Sequence, residues 1–294
     1  AFDQSVWDIF SSILLGATLV MVPQDIIGDS LAIPEYCNKH KVTIAALTPA
    51  FIKELKPEDF NFLRILESGG AAAELNILNK WREKVEIFNT YGPTETTVNA
   101  ISYKYEDCFN KNDIMPIGKP ISNLKIYILK NNKLCAVGIA GQLCIAGEGV
   151  ARGYFNREDL TKEKFISNPF DEGRLYKTGD LARWLPDGNI EYLGRIDQQV
   201  KIRGFRIELG EIESVLRDIK EIDDAVVTAV EDKTGDKRLC AYLTSKEEIN
   251  LHSLKKYLGQ ILPKYMIPSA MMQLDKIPLT VNGKVNKREL PFIE

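Results

Sequence analysis

Four short apolar runs recur between residues 17 and 88, about 20 residues apart and separated by stretches of helical character. This rhythm constrains the fold more than any other feature of the chain. The runs are ATLVMV (17–22), VTIAAL (42–47), FLRILESGG (62–70) and VEIF (85–88). Between them, SLAIPEYCNKHK reads as a helix with Ser30 as N-cap. A second helix starts near Pro49, and AAAELNILNKW has helical apolar spacing. Strands joined by helices pair in parallel, because the crossover returns the chain to the same end of the sheet. The expected fold class is therefore α/β, with a mostly parallel sheet. Ligands of such sheets sit beyond the carboxyl ends of the strands. ESGGAAAE (67–74) and NTYGPTETT (89–97) occupy that place.

From about residue 98 short strands follow one another with little helix between them. LKIYILK, GQLCIAG, LYKTGDLARWL and NIEYLGR, with turns such as Asp187-Gly188, predict antiparallel hairpins or a small barrel-like section. EDLTKEKF (158–165) is the one clear helix there. After GRIDQQVK (194–201) the pattern changes again. VKIRGFRI is strand-like, LGEIESVLRDI is an amphipathic helix, AVVTAVE and RLCAYLTS form a hairpin, and NLHSLKKYLGQIL is a further helix. The expected division is a first body at 1–196, β-rich from about 98, and a small α+β body at 197–294. A short polar junction between two ordered bodies suggests a hinge.

Composition narrows the function. With 45% hydrophobic and 27% charged residues among 294, the chain is globular, which excludes disordered and collagen-like classes. A net charge of −3 carries no footprint for nucleic acid or an anionic membrane. Only His40 and His252 are available for a Ser-His-Asp triad or a multi-His metal site. Cys37, Cys108, Cys135, Cys144 and Cys240 form no CxxC pair and are odd in number, which favours free thiols in a reducing, cytoplasmic setting. The longest apolar stretch, ILLGATLVMV (13–22), is about half a membrane span. Neither GxxxxGK[ST] nor GxGxxG with a following acidic residue occurs, against a P-loop NTPase or a nicotinamide dehydrogenase. The opening AFDQSVW has no initiator Met and no charged n-region; it reads as the interior of a longer protein.

Taken singly, the polar motifs are ambiguous. In YGPTE (91–95), Gly92 and Pro93 make a tight turn that exposes backbone N–H groups and the Thr94 hydroxyl. Glu95 can bind a divalent cation and Tyr91 offers a stacking face, but the segment could equally be a solvent-facing helix start. Asp180, beside Gly179 at an expected hairpin end, can accept both hydroxyls of a ribose, though Gly-Asp is also ordinary turn chemistry. Arg195, Lys201, Arg203 and Arg206 at the junction could meet phosphates or form a solvated face. Asn-Gly-Lys (282–284) is a turn carrying Lys284.

Together the segments resemble the amino-acid adenylation domains of non-ribosomal peptide synthetases, within the adenylate-forming superfamily. The matches, in chain order, are FDQSVWDIF, NTYGPTETT, GQLCIAGEGVARGY, LYKTGDLARW, GRIDQQVKIRGFRIELGEIE, LPKYMIP and NGKVNKREL. The resemblance implies an ATP-dependent ligase that joins an amino-acid carboxylate to the α-phosphate of Mg-ATP and then loads phosphopantetheine on a peptidyl carrier domain. A condensation domain of the same or a neighbouring chain is a further implied partner, and antibiotic biosynthesis the implied setting. It implies that Tyr91 stacks on adenine, Asn89 bonds its amino edge, and Gly92 and Thr94 lie at the nucleotide, with Thr94 at the α-phosphate. Glu95 would bind Mg2+. Asp180, assisted by Arg195, would hold the ribose. Lys284 would bridge the substrate carboxylate and α-phosphate, and Asp197 with Lys201 would form the hinge that exchanges Lys284 for the GFRIELGE loop.

The same resemblance places Asp3 against the substrate's α-ammonium. It lines the side-chain pocket with Gln4, Trp7, Ala46, Glu67, Gly69, Thr90, Val98 and Asn99. Glu67 stands out, because a buried carboxylate needs a partner; a polar or basic substrate and a neighbouring protein cation are both open solutions. The family's Gly/Ser/Thr-rich phosphate loop, expected well before FDxS, is not among these residues. The first body is thus expected to be part of a larger subdomain, and the 294 residues alone a poor enzyme prone to associate. The alternatives are a D-alanine–carrier or acyl-CoA ligase of the same superfamily, or an inactive fragment that serves only in domain docking.

Overall fold

The computed structural model describes residues 3–72, 75–105, 115–196, 199–202, 204–231, 237–278, 285–287 and 289–293. The chain divides into two compact units, Ala1–Asp197 and Gln198–Glu294.

The first unit opens with helices α1 (Gln4–Leu14) and α2 (Ala32–Lys39), followed by strand β1 (Ile44–Leu47), helix α3 (Pro49–Ile52), β2 (Ile65–Gly69), α4 (Leu75–Trp81), β3 (Glu86–Tyr91), β4 (Ile101–Lys104) and β5 (Lys119–Pro120). β1, β2 and β3 pair in parallel, with Ala46 opposite Glu67 and Gly69 opposite Thr90; β4 and β5 extend the sheet antiparallel. The period of two decides which side chains enter the core. Leu66 and Ser68 of β2 are fully buried, whereas Glu67 and Gly69 point to the other face and are half-buried. Leu66 joins Ile52, Phe60, Leu78, Trp81 and Ile87 in the core beneath the sheet.

A second sheet follows: β6 (Leu124–Lys130), β7 (Lys133–Leu134), β8 (Gly141–Gly147), helix α5 (Glu158–Lys164), β9 (Phe165–Ser167), β10 (Arg174–Trp184) and β11 (Ile190–Arg195). Its order is β11-β10-β8-β6-β7, with β9 on β10, all antiparallel. The antiparallel expectation holds. The barrel-like expectation does not, because the described strands form an open sheet with β11 and β7 at its edges. Ile126, Ile128, Leu143, Ile145, Ala182 and Ile190 pack with Tyr91 and Ile101, so one core is shared by the two sheets.

Other expectations are corrected. Residues 17–22 form no strand, since an apolar run becomes a strand only where a ladder partner exists; Val22 packs into the core from a loop instead. Ser30 does not cap α2; Asp29 Oδ1 accepts from Leu31 N at 2.9 Å and Ala32 N at 3.1 Å. Val6, Phe10, Ile13 and Leu14 of α1 and Ile44 of β1 are exposed. His40 and His252 lie at the surface. Cys37, Cys144 and Cys240 are buried free thiols and Cys135 is a half-buried one, while Cys108 lies outside the described residues. No helix is long and apolar enough to cross a membrane among the described residues.

The second unit contains β12 (Val200–Ile202), β13 (Phe205–Ile207), α6 (Leu209–Arg217), β14 (Asp224–Glu231), β15 (Lys237–Thr244), α7 (Leu251–Ile261) and β16 (Ala270–Gln273). β12 and β13 form a hairpin, β14 and β15 pair antiparallel, and β16 joins β15 in parallel. Leu209, Ile212 and Leu216 are the buried stripe of α6, and they pack with Ala225, Val227, Ala241 and Leu258. Asn250 caps α7 by accepting from Ser253 N at 3.0 Å.

Phe60 is 1% exposed and lies 5.4 Å from the Trp81 ring. Phe60→Ala should lower stability by about 3–5 kcal/mol, read as a fall in the urea midpoint followed by tryptophan emission.

Candidate functional site

Residues 92–100 form a tight loop between β3 and β4. A Cβ on Gly92 would sit 2.0 Å from Val98 O, so only glycine allows the chain to fold back here. Thr97 and Val98 adopt φ of 63° and 69°. For the β-branched Val98 this is strained backbone, which surrounding bonds must hold. Ala100 N donates to Tyr91 O at 2.8 Å, Ala151 N to Glu95 O at 2.9 Å, and Thr97 Oγ1 to Gly149 O at 2.7 Å. The loop is thereby fastened to residues 149–151, with Thr94 exposed and Glu95 half-exposed at the carboxyl end of β3.

Asp180 stands at the other side of Tyr91. Between Lys177 and Leu181 the register of β10 on β8 shifts, and Gly179 takes φ of +76° within this bulge. Asp180 is therefore a mid-strand residue re-aimed by a bulge, not the hairpin-end residue expected from its Gly-Asp context. Its side chain is 4% exposed. The register sets Arg195 of β11 directly opposite, and Arg195 Nη1 donates to Asp180 Oδ1 at 3.0 Å and to Thr178 O at 2.9 Å. Tyr91 donates its hydroxyl to Oδ2, and Tyr192 donates to Oδ1 at 3.4 Å. Thr178 Oγ1 accepts from Asp180 N and donates to Leu143 O. Burial, and then the Asp180 charge, hold the Tyr91 phenol well above its ordinary pKa, so it remains a donor.

Glu95 accepts from the Tyr154 hydroxyl at 2.6 Å, and Tyr176 lies 3.4 Å from the same hydroxyl. Burial first, then the bond to Glu95, push the Tyr154 pKa upward. Arg174 donates to the carbonyls of Ala151 and Arg152, fixing the segment that carries Tyr154. Across the strand ends, Asn99 Nδ2 donates to Glu67 Oε1 at 2.7 Å. A Cβ on Gly69 would meet Thr90 Oγ1 at 2.6 Å, and Ala46 lies beside Glu67. Ala46, Glu67, Gly69, Thr90, Val98 and Asn99 thus come together at one end of the parallel strands. Asn89, next to them, donates to Pro116 O at 3.0 Å and is buried.

Asp3 immediately precedes α1, which carries Gln4 and Trp7; Gln4 bonds to Asp8 of its own helix at 3.2 Å and Trp7 is 41% exposed. Asp197, Arg203 and Lys284 lie outside the described residues. Lys201 sits in the β12–β13 hairpin opposite Arg206, whose Nε donates to the buried Gln199 at 2.5 Å. Sequence reasoning passed over Tyr154, Thr178 and Tyr192. Tyr154 lies inside GVARGY and Thr178 inside LYKTGDLARW two residues before Asp180, whereas Tyr192 gains its role only through strand register.

One carboxylate at Glu95 fits a magnesium ion that takes its remaining ligands from phosphate and water. Among the described residues no group of three or more His, Cys, Asp or Glu could hold an ion by itself. Asp180 has acceptor capacity beyond its three donors, and a diol could use it and displace the long Tyr192 bond while Arg195 continues to balance the charge.

The family model for AMP-binding enzymes matches residues 1–155, and that for the C-terminal domain of AMP-binding enzymes matches 211–284. The chain is 47% identical over 293 residues to gramicidin S synthase 1 of Brevibacillus brevis, covering 99% of this chain and 27% of the relative. It therefore spans about a quarter of that protein's length. Among solved structures it resembles holo-PA1221, an NRPS protein containing adenylation and PCP domains (27% identity, TM-score 0.78, 88% of this chain and 46% of the other). It also resembles holo-AB3403, a four-domain nonribosomal peptide synthetase bound to AMP and glycine (36% identity, TM-score 0.62, 100% and 22%).

Arg195→Met should destabilise the chain by about 3–5 kcal/mol in urea denaturation, because it strands the buried Asp180 charge. Adding Asp180→Leu should recover part of that loss in the same assay.

Proposed function

The chain belongs to the AMP-binding enzyme family, and from that membership we propose that it activates an amino acid with Mg-ATP and delivers it to a carrier-bound thiol. In the first half-reaction a carboxylate oxygen of the amino acid attacks the α-phosphorus of ATP. The bond to the β-phosphate breaks, and aminoacyl adenylate and pyrophosphate form. In the second, the phosphopantetheine thiol of a peptidyl carrier domain takes the aminoacyl group and AMP leaves. A condensation domain then consumes the thioester, and the free thiols fit a reducing cytoplasm.

The observation that carries this reading is the buried Asp180–Arg195 pair, reached by Tyr91 at the start of the strained YGPTE loop. It supplies a fixed acceptor for a ribose diol at the carboxyl end of the parallel strands, where α/β sheets bind ligands. Tyr91 has two uses, as donor to Asp180 and as a face for adenine with Asn89 on its amino edge. Thr94 is exposed for the α-phosphate. Glu95 would hold the magnesium ion, which when bound offsets charge on the phosphates. Tyr154 orients the Glu95 carboxylate. Lys284 neutralises charge as the carboxylate attacks, and a hinge at Asp197 and Lys201 replaces it for thiol transfer. Asp3, at the start of α1, would meet the substrate's α-ammonium. The likeness to gramicidin S synthase 1 and to synthetases with carrier domains supports an amino acid over a fatty acid.

Amino-acid-dependent ATP–pyrophosphate exchange by the full-length protein tests the proposal. Lys284→Ala should lower exchange about a hundred- to a thousandfold with the fold intact by circular dichroism. An unchanged rate would refute its role. Tyr154→Phe should raise the magnesium concentration for half-maximal exchange about tenfold, with the amino-acid KM little changed.

A further inference from the structure

Resting on the reading that the GFRIELGE loop serves thiol transfer, we propose that Gln199 is a positioning residue that joins this loop to the hinge segment, so that the hairpin turns as one body. The register of β12 on β13 sorts the hairpin's side chains by face. Val200, Ile202, Phe205 and Ile207 pack with the core of the second unit, and the Phe205 ring stacks on Tyr265 with centroids 4.2 Å apart. Lys201 and Arg206 form a rung of the opposite face. Continued by one rung, the same register sets Gln199 beside Glu208.

Gln199 is 6% exposed, and both ends of its amide are engaged: Oε1 accepts from Arg206 Nε at 2.5 Å, and Nε2 donates to Glu208 Oε1. The amide oxygen thus faces the cation and the amide N–H faces the carboxylate, the orientation that strengthens both bonds. Glu208 stands at the N-cap position of α6, where a side-chain oxygen commonly accepts from the helix's free N–H groups, yet it makes no such bond. Its carboxylate is turned to Gln199 instead. In sequence Gln199 lies between Asp197 and Lys201, the two hinge residues, whereas Arg206 and Glu208 belong to the loop. Backbone pairing from 200 to 202 fixes the main chain of the hairpin. Gln199 fixes the charged side chains that the loop carries, so that a turn at the hinge delivers them in a set arrangement.

The test uses the full-length protein with a peptidyl carrier domain in its phosphopantetheine form, and reads the two half-reactions apart. Amino-acid-dependent pyrophosphate exchange reports the first. Single-turnover transfer of labelled amino acid from the preformed adenylate to the carrier thiol reports the second. Gln199→Met keeps the side chain's length and removes both bonds. It should slow transfer about tenfold or more and leave exchange within about twofold. Gln199→Glu sets two carboxylates on one rung and should slow transfer at least as much. Adding Glu208→Gln remakes both bonds with donor and acceptor exchanged, and should restore transfer to within about threefold of the unaltered protein. Unchanged transfer in Gln199→Met, equal loss of both half-reactions, or a double variant as slow as Gln199→Glu alone would each overturn the inference and leave amino-acid activation standing. No exchange by the unaltered protein with any amino acid would overturn the activation reading and this inference with it. Should Gln199→Met fail to fold, Gln199→Glu with and without Glu208→Gln decides the matter.

Discussion

A buried carboxylate is the constraint around which the first unit is arranged. Asp180 can remain charged inside a sheet only if its oxygens are met by donors and its charge by a cation. The donors come from separate places: Arg195 and Tyr192 from β11, and Tyr91 from β3 of the other sheet. The Asp180–Tyr91 bond therefore ties the parallel sheet to the antiparallel one at the place where their shared core, with Ile101, Leu143 and Ile145, reaches the surface. Apolar packing brings the sheets together without direction. The polar bond fixes their register against each other.

That tie explains how the adjoining loop can be strained. A valine at φ of 69° costs about 1–3 kcal/mol and would relax if its flanks were free. Here Tyr91 anchors one flank through Asp180, the β4 strand holds the other, and the Gly149–Ala151 segment grips the middle. The loop is thus built before any ligand arrives, and the groups it presents are Thr94 and Glu95. Preorganisation of this kind lets charged groups act on a reacting phosphate without reorganising during the reaction.

Local features of the fold were legible in the sequence, and features set by long-range register were not. β1, β2 and β3 follow from apolar runs with helices between them, and α6 from the spacing of Leu209, Ile212 and Leu216. The 17–22 run has the composition of a strand but forms none, because strandhood depends on a neighbour that composition does not reveal. Asp29 displaced Ser30 as cap through a one-position difference that hydrogen bonding alone decides. Gly179-Asp180 has turn composition, yet the same glycine serves a bulge within an 11-residue strand. The open second sheet rather than a closed barrel is likewise a matter of which edges meet. Of the site, Tyr91, Glu95, Asp180 and Arg195 were visible as motif residues, whereas Tyr192 enters only once β10 and β11 are paired.

Asp180, within β10, and Glu67, near the end of β2, are settled by different means. Asp180 draws its neutralising charge from its own chain, which makes it rigid and independent of any ligand's presence. Glu67 draws only orientation from its own chain, through Asn99. Glu67 is half-exposed, so water can meet the oxygen that Asn99 leaves open. That asymmetry separates a carboxylate built into the scaffold from one that solvent still reaches.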